Sequence, residues 1–273
     1  MIGLVTDSNA QLPAALIERY GIVVVPLGIV IDGTPYREGV DLDVDDFYAR
    51  LSTGAQVSTS TPPPGAFIEA YESLAAQGAE AILSVHVGAE LSGTFGSARL
   101  ASRSSPVPVE LVDSETASFA LGCCVWEAAE KLANNATLDQ AANAARGVAA
   151  NIGNVFIVGA LELARRGGRL APDVDTADGL PVLALEDKAM RSVGSAADAD
   201  DALDAMMDYV KERIGYGNVR VGVGDARVPE LAGLLAERLS SLSGVIEVVR
   251  YTVGPSVGCH TGPGTVGAVF YER

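Results

Sequence analysis

Basic residues are scarce. Nineteen lysines and arginines stand against 35 aspartates and glutamates, giving a net charge of -16 and a sequence pI near 4.4. Such a chain is repelled by a nucleic-acid backbone and by an anionic membrane surface, so neither is an expected partner. Cysteine is scarce too. Cys123 and Cys124 are adjacent in an apolar, helix-like stretch, and Cys259 stands alone. An odd count with no Cys-x-x-Cys spacing implies neither a metal site nor a disulfide framework, and points to a reducing compartment. Long apolar runs are missing: the one around residues 22–31 is interrupted by Pro26 and Gly28, and a bilayer needs about 20 residues. No basic segment precedes the strand-like Ile2-Gly3-Leu4-Val5, so no secretory signal is expected and the cytoplasm is the expected location. The 30 glycines and 13 prolines have no period, which excludes a fibrous fold.

What is present is apolar. Hydrophobic residues make up 48% of 273, enough for a substantial core and, at this length, for two domains. β-branched runs at 2–5, 22–25, 28–31, 81–87 and 109–112 alternate with helix-periodic segments at 13–20, 44–51, 66–77, 97–102 and 118–134. That rhythm predicts an α/β fold whose N-terminal domain, 1–155, has a mainly parallel sheet with flanking helices. Beyond it lie strands at 155–158, 181–185, 190–193, 219–223, 245–253 and 265–271, with helices over 161–166, 198–214 and 229–241. These predict a C-terminal domain, 156–273, with a mixed sheet, and Glu186-Asp187-Lys188 reads as a hairpin turn. A ligand is expected in the cleft between the two.

Four features bear on chemistry. Gly262-Pro263-Gly264-Thr265-Val266-Gly267 spells a dinucleotide fingerprint, but six strand-like residues follow it where a helix is required. It reads as a glycine-rich turn into a last strand. Ser58, Thr59, Ser60 and Thr61 stand before prolines and a helix, and one of them is expected to cap it. The strand at 81–87 runs into Leu91-Ser92-Gly93-Thr94 and another helix. Two hydroxyl-bearing helix starts on one parallel sheet would face a ligand from the same edge, where free N–H groups favour an anion. His260, among glycines, is expected to face a ligand, whereas His86 reads as a core histidine. Cys259 and His260 are not expected to form a dyad, since neighbours in extended chain point apart. No metal cluster and no nucleophile–base–orienter set emerges, so the profile is that of a binding site for a carboxylate or phosphate. An enzyme using Ser92 as nucleophile and His260 as base, acting on a small carboxylate or phosphate as hydrolase or transferase, stays open, as does a docking protein without ligand.

In order along the chain stand Val5-Thr6-Asp7-Ser8, Tyr36-Arg37-Glu38-Gly39-Val40-Asp41, Thr59-Ser60-Thr61-Pro62, Leu91-Ser92-Gly93-Thr94, Val112-Asp113-Ser114, the Gly167-Gly168-Arg169 segment and Cys259-His260-Thr261-Gly262-Pro263-Gly264. This series resembles the DegV family, which includes the fatty-acid-binding subunits of bacterial fatty acid kinase. The resemblance implies a two-domain α/β protein that binds one long-chain fatty acid and is not itself an enzyme. Its carboxylate would rest on Thr59, Ser92 and His260, with Ser60, Gly93 and Thr94 as additional contacts. No cofactor or metal is implied beyond that acid. It further implies a separate ATP-dependent kinase subunit that docks at Arg169 and Arg166 and makes an acyl phosphate. The sequence departs from the family pattern at Pro63, at Gly88-Ala89, and in a short acidic stretch from Leu170 to Asp178.

Overall fold

The computed structural model describes residues 1–172, 174, 179–186, 189–215 and 217–273. In chain order these form β1 (Ile2–Asp7), α1 (Ala14–Tyr20), β2 (Val23–Val25), β3 (Gly28–Ile31), β4 (Thr34–Arg37), α2 (Val44–Ser52), β5 (Val57–Ser60), α3 (Pro64–Ala76), β6 (Ala81–His86), α4 (Thr94–Ser102), β7 (Val109–Asp113), α5 (Phe119–Ala133) and α6 (Leu138–Asn151). There follow β8 (Gly153–Ile157), α7 (Leu161–Arg166), β9 (Leu180–Glu186), β10 (Ala189–Ala196), α8 (Ala199–Arg213), β11 (Val219–Asp225), α9 (Pro229–Ser240), β12 (Val245–Thr252), α10 (Pro255–Thr261) and β13 (Val266–Glu272). They divide into two compact units. One comprises Met1–Val44 and Gln56–Ala150; the other comprises Asp45–Ala55 and Asn151–Arg273.

The first unit is built on a parallel sheet of order β2-β1-β6-β7. Parallel neighbours need crossovers, and helices supply them. Strands covered on both faces read as continuous Val, Ile and Leu, and β1 and β6 are buried over nearly their whole length. Phe67, Tyr71 and Leu74 of α3 pack on Val5 and Ile82 to form one core. A separate antiparallel sheet, β4-β3-β5, stands beside it in sequence but not in hydrogen bonding.

The second unit carries a six-stranded mixed sheet of order β10-β9-β8-β13-β11-β12, in which β11 and β12 are the parallel pair. Leu203, Met206 and Val210 of α8, with Leu235 and Leu239 of α9, cover Val155, Val182, Val221 and Val223. The adjacent Leu183 belongs to a different cluster with Val158, Ala171 and Val174, as the two-residue alternation of a strand requires. Both units therefore carry the α/β architecture expected of them. The strands β9 and β10 pair antiparallel with Ala189 opposite Glu186; the hairpin residues Asp187 and Lys188 lie outside the described residues.

Four elements were not expected: β4, β5, α6 and α10. One expectation is corrected. The hydroxyls at 58–60 do not cap the next helix, because they form β5, and α3 has Pro63 at its N-cap with no side-chain bond there. Since β5 pairs with β3, the parallel sheet supplies one of the two anticipated hydroxyl-bearing helix starts, at Ser92, and not both. Among the described residues no helix is long and apolar enough to cross a membrane.

Candidate functional site

In the first unit the site grows from the end of β6. Gly88 lets the chain turn tightly, since a Cβ there would lie 2.9 Å from the Glu115 carbonyl carbon. The Gly88 N–H donates to Thr116 O and Ala89 N–H donates to the Asp113 carboxylate. The loop so anchored sets Ser92 immediately before α4. Ser92 Oγ lies 2.9 Å from Thr94 Oγ1 and accepts from the Thr94 N–H at 3.3 Å. Ser92 is half-buried and Thr94 is buried. Gly93 faces Thr61, whose Oγ1 would stand 3.1 Å from a Cβ at that position. The structure thus groups Ser92, Gly93 and Thr94 with Thr61, which the sequence placed in the hydroxyl run but not among the carboxylate contacts.

Thr59 sits on β5 opposite Ile29 and is half-buried, while Ser58 and Ser60 point to the exposed side. Alternation along the strand accounts for that split. Ser60 Oγ lies over the backbone of Gly28, its partner in register.

The same unit holds a second polar set that sequence reasoning missed. His86 Nδ1 is 2.9 Å from Asp7 Oδ2, and its Nε2 is 2.6 Å from Ser84 Oγ, which is 2.9 Å from the Tyr71 hydroxyl. The order Ser–His–Asp is that of a hydrolase triad. Yet all four side chains are fully buried, and burial pushes the Tyr71 hydroxyl up to about 12. Each of these buried polar groups thereby finds a partner within the core. His86 is the core histidine expected.

In the second unit, His260 is carried by α10, a helix where extended chain was assumed. The exclusion of a Cys259–His260 dyad stands for a different reason: successive helical residues do not face one another, and Cys259 is buried. The glycine-rich turn is a packing device. Ala160 N–H donates to Thr261 O at 2.9 Å, and Thr265 Oγ1 donates to the Thr261 and Gly262 carbonyls. Gly159 abuts Pro263 so closely that a Cβ would overlap its carbonyl oxygen. Gly267 lies in β13, with no helix after it, so the dinucleotide fingerprint is spurious here.

The imidazole of His260 lies against Gly167, at the end of α7. Its proton affinity falls from 6.5 to about 4, first through burial and then through the Arg169 guanidinium. At neutral pH it is an uncharged ring that offers one N–H donor. Arg169 Nη1 donates to Gly167 O at 3.0 Å, and Arg166 is exposed. The acidic residues 173, 175 and 178, which the sequence set near Arg169, lie outside the described residues. Among the described residues no cluster of three or more histidines, cysteines or carboxylates is placed to hold a metal.

Residues 1–273 match the family model described as an uncharacterised protein of the DegV family. A DegV domain-containing protein of Streptomyces coelicolor is 36% identical, over 100% of this chain and 99% of its own. A DegV family protein from Thermus thermophilus, whose structure is described as showing fatty acid binding, superposes with a TM-score of 0.92 at 29% identity. DegV of Bacillus subtilis, described as a fatty acid binding protein, superposes with a TM-score of 0.90 at 27% identity. Each covers 100% of this chain and is itself covered to 99%.

Proposed function

This chain belongs to the DegV family, and from that premise we propose that it binds a long-chain fatty acid, holding the carboxylate with Thr59, Ser92 and His260. The observation that carries the reading is the end-to-end likeness to the fatty-acid-binding DegV proteins of Thermus thermophilus and Bacillus subtilis. The side chains agree with it chemically. A hydroxyl pair at the start of α4 and a neutral imidazole are donors that satisfy a carboxylate without attacking it. Gly93 and Thr94 are proposed as further contacts, and Ser60 as a third.

Magnitudes assign the work. At about 0.8 kcal/mol per buried CH₂, an acyl chain of ~14 methylenes supplies on the order of 11 kcal/mol before ordering costs. The head group then needs partners mainly so that it is not stranded. Each hydrogen bond to it is worth roughly 1.5–3 kcal/mol. Organic extraction of protein purified without detergent should release free fatty acid, and Ser92→Ala should weaken uptake roughly tenfold or more. Lipid-free protein that takes up no fatty acid on incubation would refute the proposal. Ester hydrolysis lost in both Ser92→Ala and His260→Ala would replace it with the hydrolase reading.

The finer part of the proposal is presentation of the bound acid to a separate ATP-dependent kinase subunit in the cytoplasm. The basic turn at Arg166 and Arg169, on a chain of net charge -16, suits such a partner by charge complementarity, which sets orientation and on-rate. Arg166→Glu, at an exposed position outside the His260 contact, should leave acyl binding intact while lowering acyl-phosphate formation by such a kinase. Unchanged phosphorylation at low salt would reject this docking surface.

A further inference from the structure

The helix that carries His260 meets its neighbours through glycine. A Cβ on Gly258 would lie 2.6 Å from the Tyr48 hydroxyl and 2.8 Å from Phe47 Cε1, and one on Gly262 would lie 2.5 Å from Ala160 Cβ. The closest approach to the imidazole itself comes from outside the helix. A Cβ on Gly167 would fall 2.4 Å from His260 Nδ1 and 3.2 Å from its Cε1. Carbon and nitrogen do not approach so closely, so a side chain there and the ring cannot both keep their places.

Two kinds of glycine stand side by side at this point. Gly167 has φ -74 and ψ -7, a helical conformation open to every residue, so its backbone does not call for glycine. Gly168 has φ +68 with nothing within 4 Å of its added Cβ. Glycine serves conformation at 168 and space at 167. The seat is also held firmly. Gly167 N–H donates to Leu163 O, Gly168 N–H to Arg165 O and Arg169 N–H to Ala164 O, while Arg169 Nη1 donates back to Gly167 O.

We infer that Gly167 is a positioning residue for His260: the missing side chain at 167 is the seat of the imidazole, and the turn closed by Arg169 fixes where that seat lies. Its consequence for ligand affinity rests on the carboxylate reading above; the seating of the ring does not. The inference also joins the basic turn to the site, since Arg169 both closes the turn and is the charged side chain that acts on the imidazole. Arg165 and Arg166 on the same segment are exposed.

The test uses the full-length, delipidated chain, palmitate as the probe, and ¹⁵N NMR of the histidine rings. Gly167→Ala should shift the His260 ring resonances and weaken palmitate binding at least tenfold. Because the displaced group is the end of a side chain, the denaturation midpoint should stay close to that of the parent. Gly168→Ala should do the reverse, lowering the midpoint and leaving the ring resonances in place. His260→Ala should weaken binding, and Gly167→Ala added to it should cost nothing further, as coupled sites require. Arg169→Gln should raise the pH at which the His260 ring titrates in the ligand-free protein.

Unchanged His260 resonances in Gly167→Ala, or losses that add fully in the double variant, would overturn the inference. If His260→Ala binds palmitate like the parent, the carboxylate reading fails, and the ring resonances of Gly167→Ala still decide whether the ring is seated there. Should Gly167→Ala not fold, the double variant with His260→Ala decides: recovered folding identifies the ring as the obstructed group and supports the inference, and a double variant that still fails to fold overturns it.

Discussion

The imidazole of His260 is bound to the native state in its neutral form, and that has a measurable cost in acid. Its pKa falls from 6.5 to about 4, through burial first and the Arg169 charge second. Between those values the unfolded chain binds a proton that the native chain refuses, so stability rises with pH across that window. Above 6.5 this contribution is constant, and it is lost progressively as the pH falls toward 4. The ceiling is about 3 kcal/mol at 1.36 kcal/mol per unit, and roughly 1–2 kcal/mol once the ring's remaining contact with water is allowed for. Urea midpoints measured from pH 4 to 7 should therefore slope less steeply in His260→Gln than in the parent. Parallel curves would contradict the assignment. The residue that carries this effect was legible, because a lone histidine among glycines has few reasons to be core. The seat beneath it was not, because Gly167 is distant in sequence and only packing brings it to the ring. The Asp7–His86–Ser84 set was illegible for a related reason. Alternation puts Ser84 and His86 on one face of β6, but the approach of Asp7 depends on the β1–β6 register, in which Val5 lies opposite Ser84.

Helix α5 shows how packing overrides propensity at the scale of one element. Every residue from Phe119 to Ala129 is buried, and all but Glu127 are apolar or glycine, as an internal helix should be. Gly122 lies in its first turns with Ala10 O where a Cβ would stand 2.4 Å away. Helix propensity alone favours alanine there by about 1 kcal/mol. A methyl group against a backbone carbonyl cannot be relieved by rotating a side chain, and overpacking of this kind costs typically 1–3 kcal/mol. Gly122→Ala should accordingly lower the denaturation midpoint. Gly147→Ala, on the exposed side of α6 with nothing within 4 Å, should raise it, adding about 0.5–1 kcal/mol of stability. Opposite signs in two helical glycines are the expected result, and equal signs would refute the packing account. Helix α6 itself carried an unread signal. Thr137 and Gln140 exchange hydrogen bonds between side chains and backbone N–H groups, a capping box present in the sequence as Thr137-Leu138-Asp139-Gln140. The strand β5 was harder, since Val57-Ser58-Thr59-Ser60 before three prolines looks like a loop, and its pairing with β3 is a tertiary choice. The short helix α10 was hidden by Gly258 within it and by Gly254 and Gly262 at its ends, since glycine disfavours helix but is required where neighbours crowd the backbone.

At the scale of the whole chain, sequence order and structural membership diverge once. Composition and rhythm made the α/β class and the change from a parallel to a mixed sheet readable, since both follow from local periodicity. The excursion of Asp45–Ala55 into the second unit was not readable, because it follows from where two aromatic side chains are buried. The chain passes from the first unit to the second at residue 45, returns at 56 and leaves again at 151. What it delivers is α2. Phe47 is fully buried and meets the Tyr48 ring edge-on at 5.0 Å, Tyr48 donates to Val253 O at 2.9 Å, and both abut Gly258 of α10. The second unit is thus completed by eleven residues that no cut at the end of the first would leave with it. Removing a buried phenylalanine costs about 3–5 kcal/mol, and the lost tyrosine hydrogen bond adds about 1 kcal/mol. Set against a typical domain stability of roughly 5–15 kcal/mol, those losses leave little. A fragment spanning 151–273 should therefore melt well below the intact chain, or without cooperativity, and the same fragment fused to 45–55 should regain a cooperative transition. Within the intact chain, Phe47→Ala should destabilise the second unit, where its ring meets Tyr48 and abuts Gly258, and should speed amide exchange in β11 and β13. Cooperative melting of 151–273 alone at the temperature of the intact chain would show that α2 is dispensable to that unit.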